Sequence, residues 1–152
     1  MPSPLLKVCG LCDPHQARAV AALGVDAVGV IGVAASPRFV EPDLRPALFA
    51  AVAEQGQACH RVLVVADPAD QDLPLLEPAA GGHQVLQLHG AETVERCREL
   101  GDRLPGVRLW KALRIRTPAD LDLAAAYASV VEALRLDAWV PDQLGGTGHR
   151  LP

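Results

Sequence analysis

Six short apolar runs, at residues 5–9, 27–31, 62–66, 85–89, 109–113 and 133–137, recur along the chain, each followed by a polar or helix-forming stretch. Runs of this length bounded by turn residues read as buried strands, and strands alternating with helices build βα units on a parallel sheet. The intervening stretches carry their own boundaries. Asp13-Pro14 opens an alanine-rich helix that Gly24 closes, with a side-chain cap at the start and a glycine at the stop. Residues 42–54 read as a second helix with Pro46 in its first turn, and residues 93–100 as another that Gly101 ends. Thr117 is placed to cap a helix reaching about residue 129, with Pro118 at its first position. Residues 70–81 are expected to be helical as well, interrupted by Pro74 and Pro78.

The chain has 152 residues, enough for one domain over residues 1–152 with a substantial core. Half the residues are hydrophobic but only 3% are aromatic, so the core must be built from Val, Leu and Ala. That mixture suits parallel strands covered by helices better than an aromatic-rich sandwich. A unit length of about 25 residues fits either a (β/α)8 barrel or a doubly wound sheet. The first turn favours the barrel. It reads Cys9-Gly10-Leu11-Cys12-Asp13, where a dinucleotide fold needs Gly-x-Gly-x-x-Gly.

The net charge of −4 is spread over interspersed acidic and basic residues, which gives no basic face for nucleic acid. No apolar run is long enough to span a bilayer, and the opening Met1-Pro2-Ser3-Pro4 lacks the form of a signal peptide. The expectation is a soluble cytoplasmic protein with no membrane partner. In that setting Cys9, Cys12, Cys59 and Cys97 are expected to be free thiols.

Polar residues at strand ends sharpen the reading. Side chains two apart share a strand face, so Lys7 groups with Cys9, Gln87 with His89, and Arg135 with Asp137, each pair opposite leucine or valine. Three strands thus turn an apolar face to helices and polar groups the other way. In a barrel that other face is the interior, whose C-terminal mouth hosts catalysis. A solvated open edge would explain one such lysine or arginine, but not the same pattern on three strands.

Lys7-Val8-Cys9-Gly10-Leu11, Ser36-Pro37-Arg38-Phe39-Val40, Gln87-Leu88-His89-Gly90, Lys111-Ala112-Leu113-Arg114, Leu136-Asp137-Ala138-Trp139 and Gly145-Gly146-Thr147-Gly148 resemble, in order and spacing, the successive signatures of phosphoribosylanthranilate isomerase. The resemblance runs across nearly the whole chain. It implies a TIM barrel and an Amadori rearrangement of N-(5-phosphoribosyl)anthranilate to 1-(2-carboxyphenylamino)-1-deoxyribulose 5-phosphate in tryptophan biosynthesis. It further implies Asp137 as general acid and Cys9 as general base, with Arg38 binding the anthranilate carboxylate. Lys7, His89, Gly145 and Gly146 would join Arg38 in binding the substrate, the two glycines from a mobile loop, and neither a metal nor an organic cofactor is implied.

The chemistry is compatible with those roles. Positive charge favours a thiolate, and Lys7, one layer below Cys9, is placed to supply it. Burial favours the protonated form of a carboxyl, which is what Asp137 needs in order to donate. Each residue also has an ordinary reading: Cys9 as a small core side chain, Asp137 as a turn cap, Arg38 as a loop arginine, His89 as a core histidine. Asp67 reads as a helix cap before Pro68. The Cys9-x-x-Cys12 spacing invites redox or zinc chemistry. Zinc needs a second ligand pair, however, and Cys59-His60 lies at the approach to strand three, away from the mouth.

Three departures from the family pattern stand out. Cys12 replaces a common threonine, and His149 replaces a common lysine after the glycine loop. Only about six βα units are present, so the last two, about 50 residues, are absent from the expected barrel. The family's phosphate-binding loops follow strands seven and eight, and no residue here takes that role. The unpaired edges of strands one and six predict self-association. The alternative to the enzyme is therefore an inactive fragment, or an assembly partner that needs complementing units.

Overall fold

A computed structural model describes residues 3–56, 58–141 and 147–151. Its strands are β1 (Lys7–Cys9), β2 (Ala27–Ile31), β3 (His60–Val65), β4 (Val85–Leu88), β5 (Arg108–Ile115) and β6 (Ala133–Ala138). All neighbours are parallel and the spatial order is the chain order, β1-β2-β3-β4-β5-β6. The helices between them are α1 (Pro14–Ala22), α2 (Arg45–Ala53), the short α3 (Leu73–Leu76) and α4 (Pro78–Gly81), α5 (Val94–Arg103) and α6 (Leu121–Tyr127).

The sheet is curled. Three strand spacings separate β1 from β4, about 14 Å on a flat sheet, yet Lys7 Nζ on β1 lies 2.9 Å from Gln87 Oε1 on β4. The helices all pack on the convex side. There Val28, Val30, Leu63, Val65, Leu86, Leu88 and Leu109 join helix residues such as Leu48, Phe49, Val52 and Leu100 in one core. The concave layer is smaller, with Ala27, Ile31, Val62, Val64 and Val85 buried together and Cys9 and Trp110 against them. Burying one Leu or Val side chain stabilises by about 1.5–3 kcal/mol, so the convex layer supplies most of the cohesion and the concave face is left for polar groups. The result is a curled half-barrel of the TIM-barrel type.

Local chemistry sets the element ends. Asp13 caps α1 by accepting from the Gln16 amide at 2.9 Å, with Pro14 in the first turn; Gly24 follows with φ 83°. Thr93 caps α5 through the Arg96 amide at 3.1 Å. The helix expected after Thr117 begins instead as a 3-10 turn, Pro118–Asp120, in which the Asp120 carboxylate accepts from the Thr117 amide at 2.7 Å. Likewise a 3-10 turn, Pro42–Leu44, precedes α2. The helix expected over residues 70–81 is broken into a 3-10 turn and two single turns. Glu77 adopts ψ 136° because the Pro78 ring disfavours a helical residue before it.

Asp67 does not cap a helix. It sits at φ 47°, its carboxylate accepting from Ala91 N at 2.9 Å and its own amide donating to Glu92 Oε2 at 2.7 Å. It ties the turn after β3 to the turn after β4.

His83 is a buried histidine that bonds the Leu76 carbonyl through Nε2 at 2.7 Å, while Nδ1 has no partner among the described residues. Burial, the largest influence, holds this imidazole below its ordinary value, helped by Arg45 and Arg61 and opposed by the Leu76 bond. Because the folded value is lowered, the stabilisation is complete above about pH 6.5 and declines as pH falls from there toward the folded value. Between pH 7 and 5.5 the native chain is expected to lose about 1 kcal/mol more stability than His83→Leu. Urea denaturation at the two pH values measures this, and equal losses would refute it.

Candidate active site

The concave face at the C-terminal strand ends gathers the polar pairs from β1, β4 and β6. Lys7 Nζ donates to Gln87 Oε1 at 2.9 Å. The Gln87 amide nitrogen lies 3.4 Å from His89 Nδ1, and His89 Nε2 lies 3.0 Å from Asp137 Oδ2. Arg135 Nε reaches the other Asp137 oxygen at 3.3 Å. Lys7 also lies beside Cys9, since Lys7 Cε and Cys9 Sγ both border the space a side chain on Gly29 would fill. One continuous set of contacts therefore runs from Lys7, beside the Cys9 thiol on β1, through β4 to the carboxyl on β6.

Gly29, the β2 partner of Cys9, makes room for it. A Cβ at Gly29 would stand 2.5 Å from Cys9 Sγ and 3.2 Å from Lys7 Cε, so a larger residue would displace both. Arg38 lies over the end of β1. A Cβ on Gly10, itself at φ 91°, would meet the Arg38 guanidinium at 2.5 Å. The structure thus brings Lys7, Cys9, Arg38, His89 and Asp137 to one mouth. Gly145 and Gly146 lie outside the described residues. Thr147, Gly148, His149 and Leu151 face Arg135 and Asp137 across a cavity of about 290 Å³. Cys12 is exposed and turned toward the carbonyls of Gly10 and Arg38, while Cys59 is buried. Among the described residues, no three His, Cys, Asp or Glu side chains converge to hold a metal ion.

The electrostatics depart from expectation at Asp137. Burial pushes its carboxyl up, but the His89 hydrogen bond, the Arg135 charge and their lesser contributions together outweigh it and hold the group below the ordinary carboxylate range. Asp137 is therefore ionised at neutral pH, and the expectation that burial keeps it protonated is overturned. For Lys7, burial pulls the ammonium down, attraction to Cys9 raises it and Arg135 lowers it. Burial also pushes the Cys97 thiol, behind the sheet, up to about 11.

Sequence reasoning missed an ion pair on the convex side. Lys111 Nζ donates to Glu92 Oε1 at 2.9 Å and to the Gly90 carbonyl at 2.8 Å, with side-chain exposures of 2% and 1%. Glu92 also accepts from the amides of Gly90 and Asp67, and Tyr127 donates to its carbonyl at 2.8 Å. This network fixes the turn that begins at His89. The signal was a lysine at the helix-facing parity of an apolar strand, between Leu109 and Leu113.

No family model matches the chain. It is 44% identical over 146 residues to the N-(5'-phosphoribosyl)anthranilate isomerase of Synechococcus elongatus, covering 96% of this chain and 66% of the relative. To the protein of the same name from Acaryochloris marina it is 38% identical over 149 residues, covering 95% and 67%. Among solved structures it resembles phosphoribosyl anthranilate isomerase from Thermus thermophilus, with TM-score 0.74, 28% identity, and 98% and 68% of the two chains covered. The Thermotoga maritima enzyme shares the fold at TM-score 0.76 and 24% identity, covering 94% and 65%. The chain thus spans about two thirds of the length of these two curated relatives. Among the described residues no helix is long and apolar enough to cross a membrane.

Proposed function

This chain belongs to the phosphoribosylanthranilate isomerase family, enzymes of tryptophan biosynthesis, and we propose that its concave cluster carries out the family's rearrangement. The substrate would be N-(5-phosphoribosyl)anthranilate and the product 1-(2-carboxyphenylamino)-1-deoxyribulose 5-phosphate. The observation that carries this reading is the contact path from Lys7 and Cys9 to Asp137 across three strands. It supports an acid and a base facing one sugar.

Asp137 protonates the ring oxygen as the C1–O bond breaks, and the nitrogen lone pair forms the C1=N Schiff base. Cys9, as thiolate, then takes the C2 proton, and the electrons released make the C1=C2 enolamine, which tautomerises to the ketone. The Lys7 ammonium and a Cys9 thiolate stabilise each other. Arg38 offers a planar fork to the anthranilate carboxylate, His89 lines the pocket, and Gly145 and Gly146 contribute to substrate binding. In the free chain Asp137 is ionised, so the proton it donates is drawn onto it in the complex. We place this chemistry in the cytoplasm, with no organic cofactor and with neither a nucleic acid nor a membrane as partner.

One observation favours a second reading. Among the described residues β1 and β6 each pair on one side only, and Leu136 on β6 is 39% exposed. The chain would then be an inactive partner that self-associates through these edges or acts only with complementing βα units. Incubating the purified chain with the fluorescent substrate separates the two. Fluorescence loss with the chain alone is expected, and Lys7→Met should slow it several-fold. Turnover only after two further βα units are added would favour the partner, and none in either case would exclude the isomerase.

A further inference from the structure

Gln87 is fully buried on the concave face and engaged at both ends. Its orientation follows from its neighbours. The Lys7 ammonium has only protons to give, so the amide atom 2.9 Å from Nζ is the oxygen. The amide nitrogen is thereby turned to His89 Nδ1, 3.4 Å away. That nitrogen only donates, so Nδ1 accepts and the ring proton of a neutral His89 sits on Nε2. Asp137, ionised and 3.0 Å from Nε2, accepts that proton's hydrogen bond. The opposite tautomer would set two donors face to face at Nδ1 and a lone pair against a carboxylate at Nε2. In a site this closed to water each mismatch is unfavourable. Every bond from Lys7 to Asp137 thus has a defined direction, and Gln87 is the joint between the two ends.

We propose that Gln87 is a positioning residue: it holds the His89 ring with its Nδ1 lone pair occupied, and it anchors the Lys7 ammonium beside Cys9. The two contacts stand on geometry alone, while their effect on turnover rests on the isomerase reading.

The experiment uses the full chain in a Cys12→Ser background, which removes the exposed thiol. Long-range proton–nitrogen NMR of the imidazoles, about two pH units above the ordinary histidine value, reads His89, identified by its loss in His89→Asn. In the parent chain His89 should show the neutral Nε2–H pattern. Gln87→Leu should shift the Nδ1 resonance toward that of an unbonded nitrogen. Gln87→Glu, which faces Nδ1 with a second carboxylate, should give the imidazolium pattern. Alkylation of Cys9 at neutral pH should slow about threefold or more in Gln87→Leu, as the lysine loses its anchor. Both ends must respond. A wild-type Nδ1 signal or an unchanged alkylation rate in the folded Leu variant overturns the proposal. If Leu disrupts the fold, Gln87→Met replaces it, judged by the same two signals. In the turnover assay kcat should fall roughly 10- to 100-fold, with KM little changed. A chain that never turns over substrate would remove the isomerase reading, and the imidazole and alkylation measurements would still decide the role of Gln87.

Discussion

Cys9→Ala and Asp137→Asn are each expected to lower kcat for phosphoribosylanthranilate by roughly 100- to 10,000-fold, the usual contribution of a positioned acid or base. Neither change should raise KM much, because neither group is placed to hold the anthranilate carboxylate. Arg38→Met should do the reverse. Loss of a charge-assisted contact, about 1.5–3 kcal/mol, would raise KM about 10- to 100-fold while sparing kcat. Steady-state kinetics on the three variants tests the division of labour. Full activity in Cys9→Ala would rule out the thiol as base. Asp137→Asn has a structural component as well, since His89 and Arg135 both lose a charged partner. Circular dichroism should therefore accompany its kinetics.

The largest stability effect is expected at Lys111. Lys111→Met would leave Glu92 buried without its cation, a loss of about 3–5 kcal/mol. For a chain of this size that lowers Tm by roughly 10–15 °C. Lys111→Met with Glu92→Gln should recover part of the loss, because the neutral amide removes the stranded charge yet keeps an oxygen for a backbone amide. It should not recover all of it, since Glu92 now accepts from the amides of both Gly90 and Asp67, and an orphaned buried N–H costs about 1–3 kcal/mol. Urea denaturation of the two variants measures both values. A Lys111→Met protein as stable as the parent would show that the pair is not closed to water.

The concave site was legible because strand alternation is strict. Once residues 85–89 and 133–137 were read as strands, Gln87 with His89 and Arg135 with Asp137 had to share faces. The structure adds that these faces meet across the curl. Periodicity does not encode pairing, which is why the strand ends shifted. Leu5 and Leu6 are apolar but exposed and lie outside β1, whereas Arg108 lies within β5. Of the Lys111–Glu92 pair, only the helix-facing lysine was visible in the sequence; its partner lies 19 residues away, and nothing local names it. The state of Asp137 was misjudged for a related reason. Burial was read from its own strand, but the groups that outweigh burial include a histidine two strands away.

The grip of His89 and Arg135 on Asp137 bears on how the rate follows pH. Thiolate with carboxylic acid and thiol with carboxylate contain the same number of protons, so the site and not the buffer sets their ratio. Acidifying the medium cannot enrich the reactive arrangement over its isomer. The plateau of the pH–rate curve is scaled by the minor arrangement's share, and its height records how firmly the imidazole and the guanidinium hold the oxygen pair.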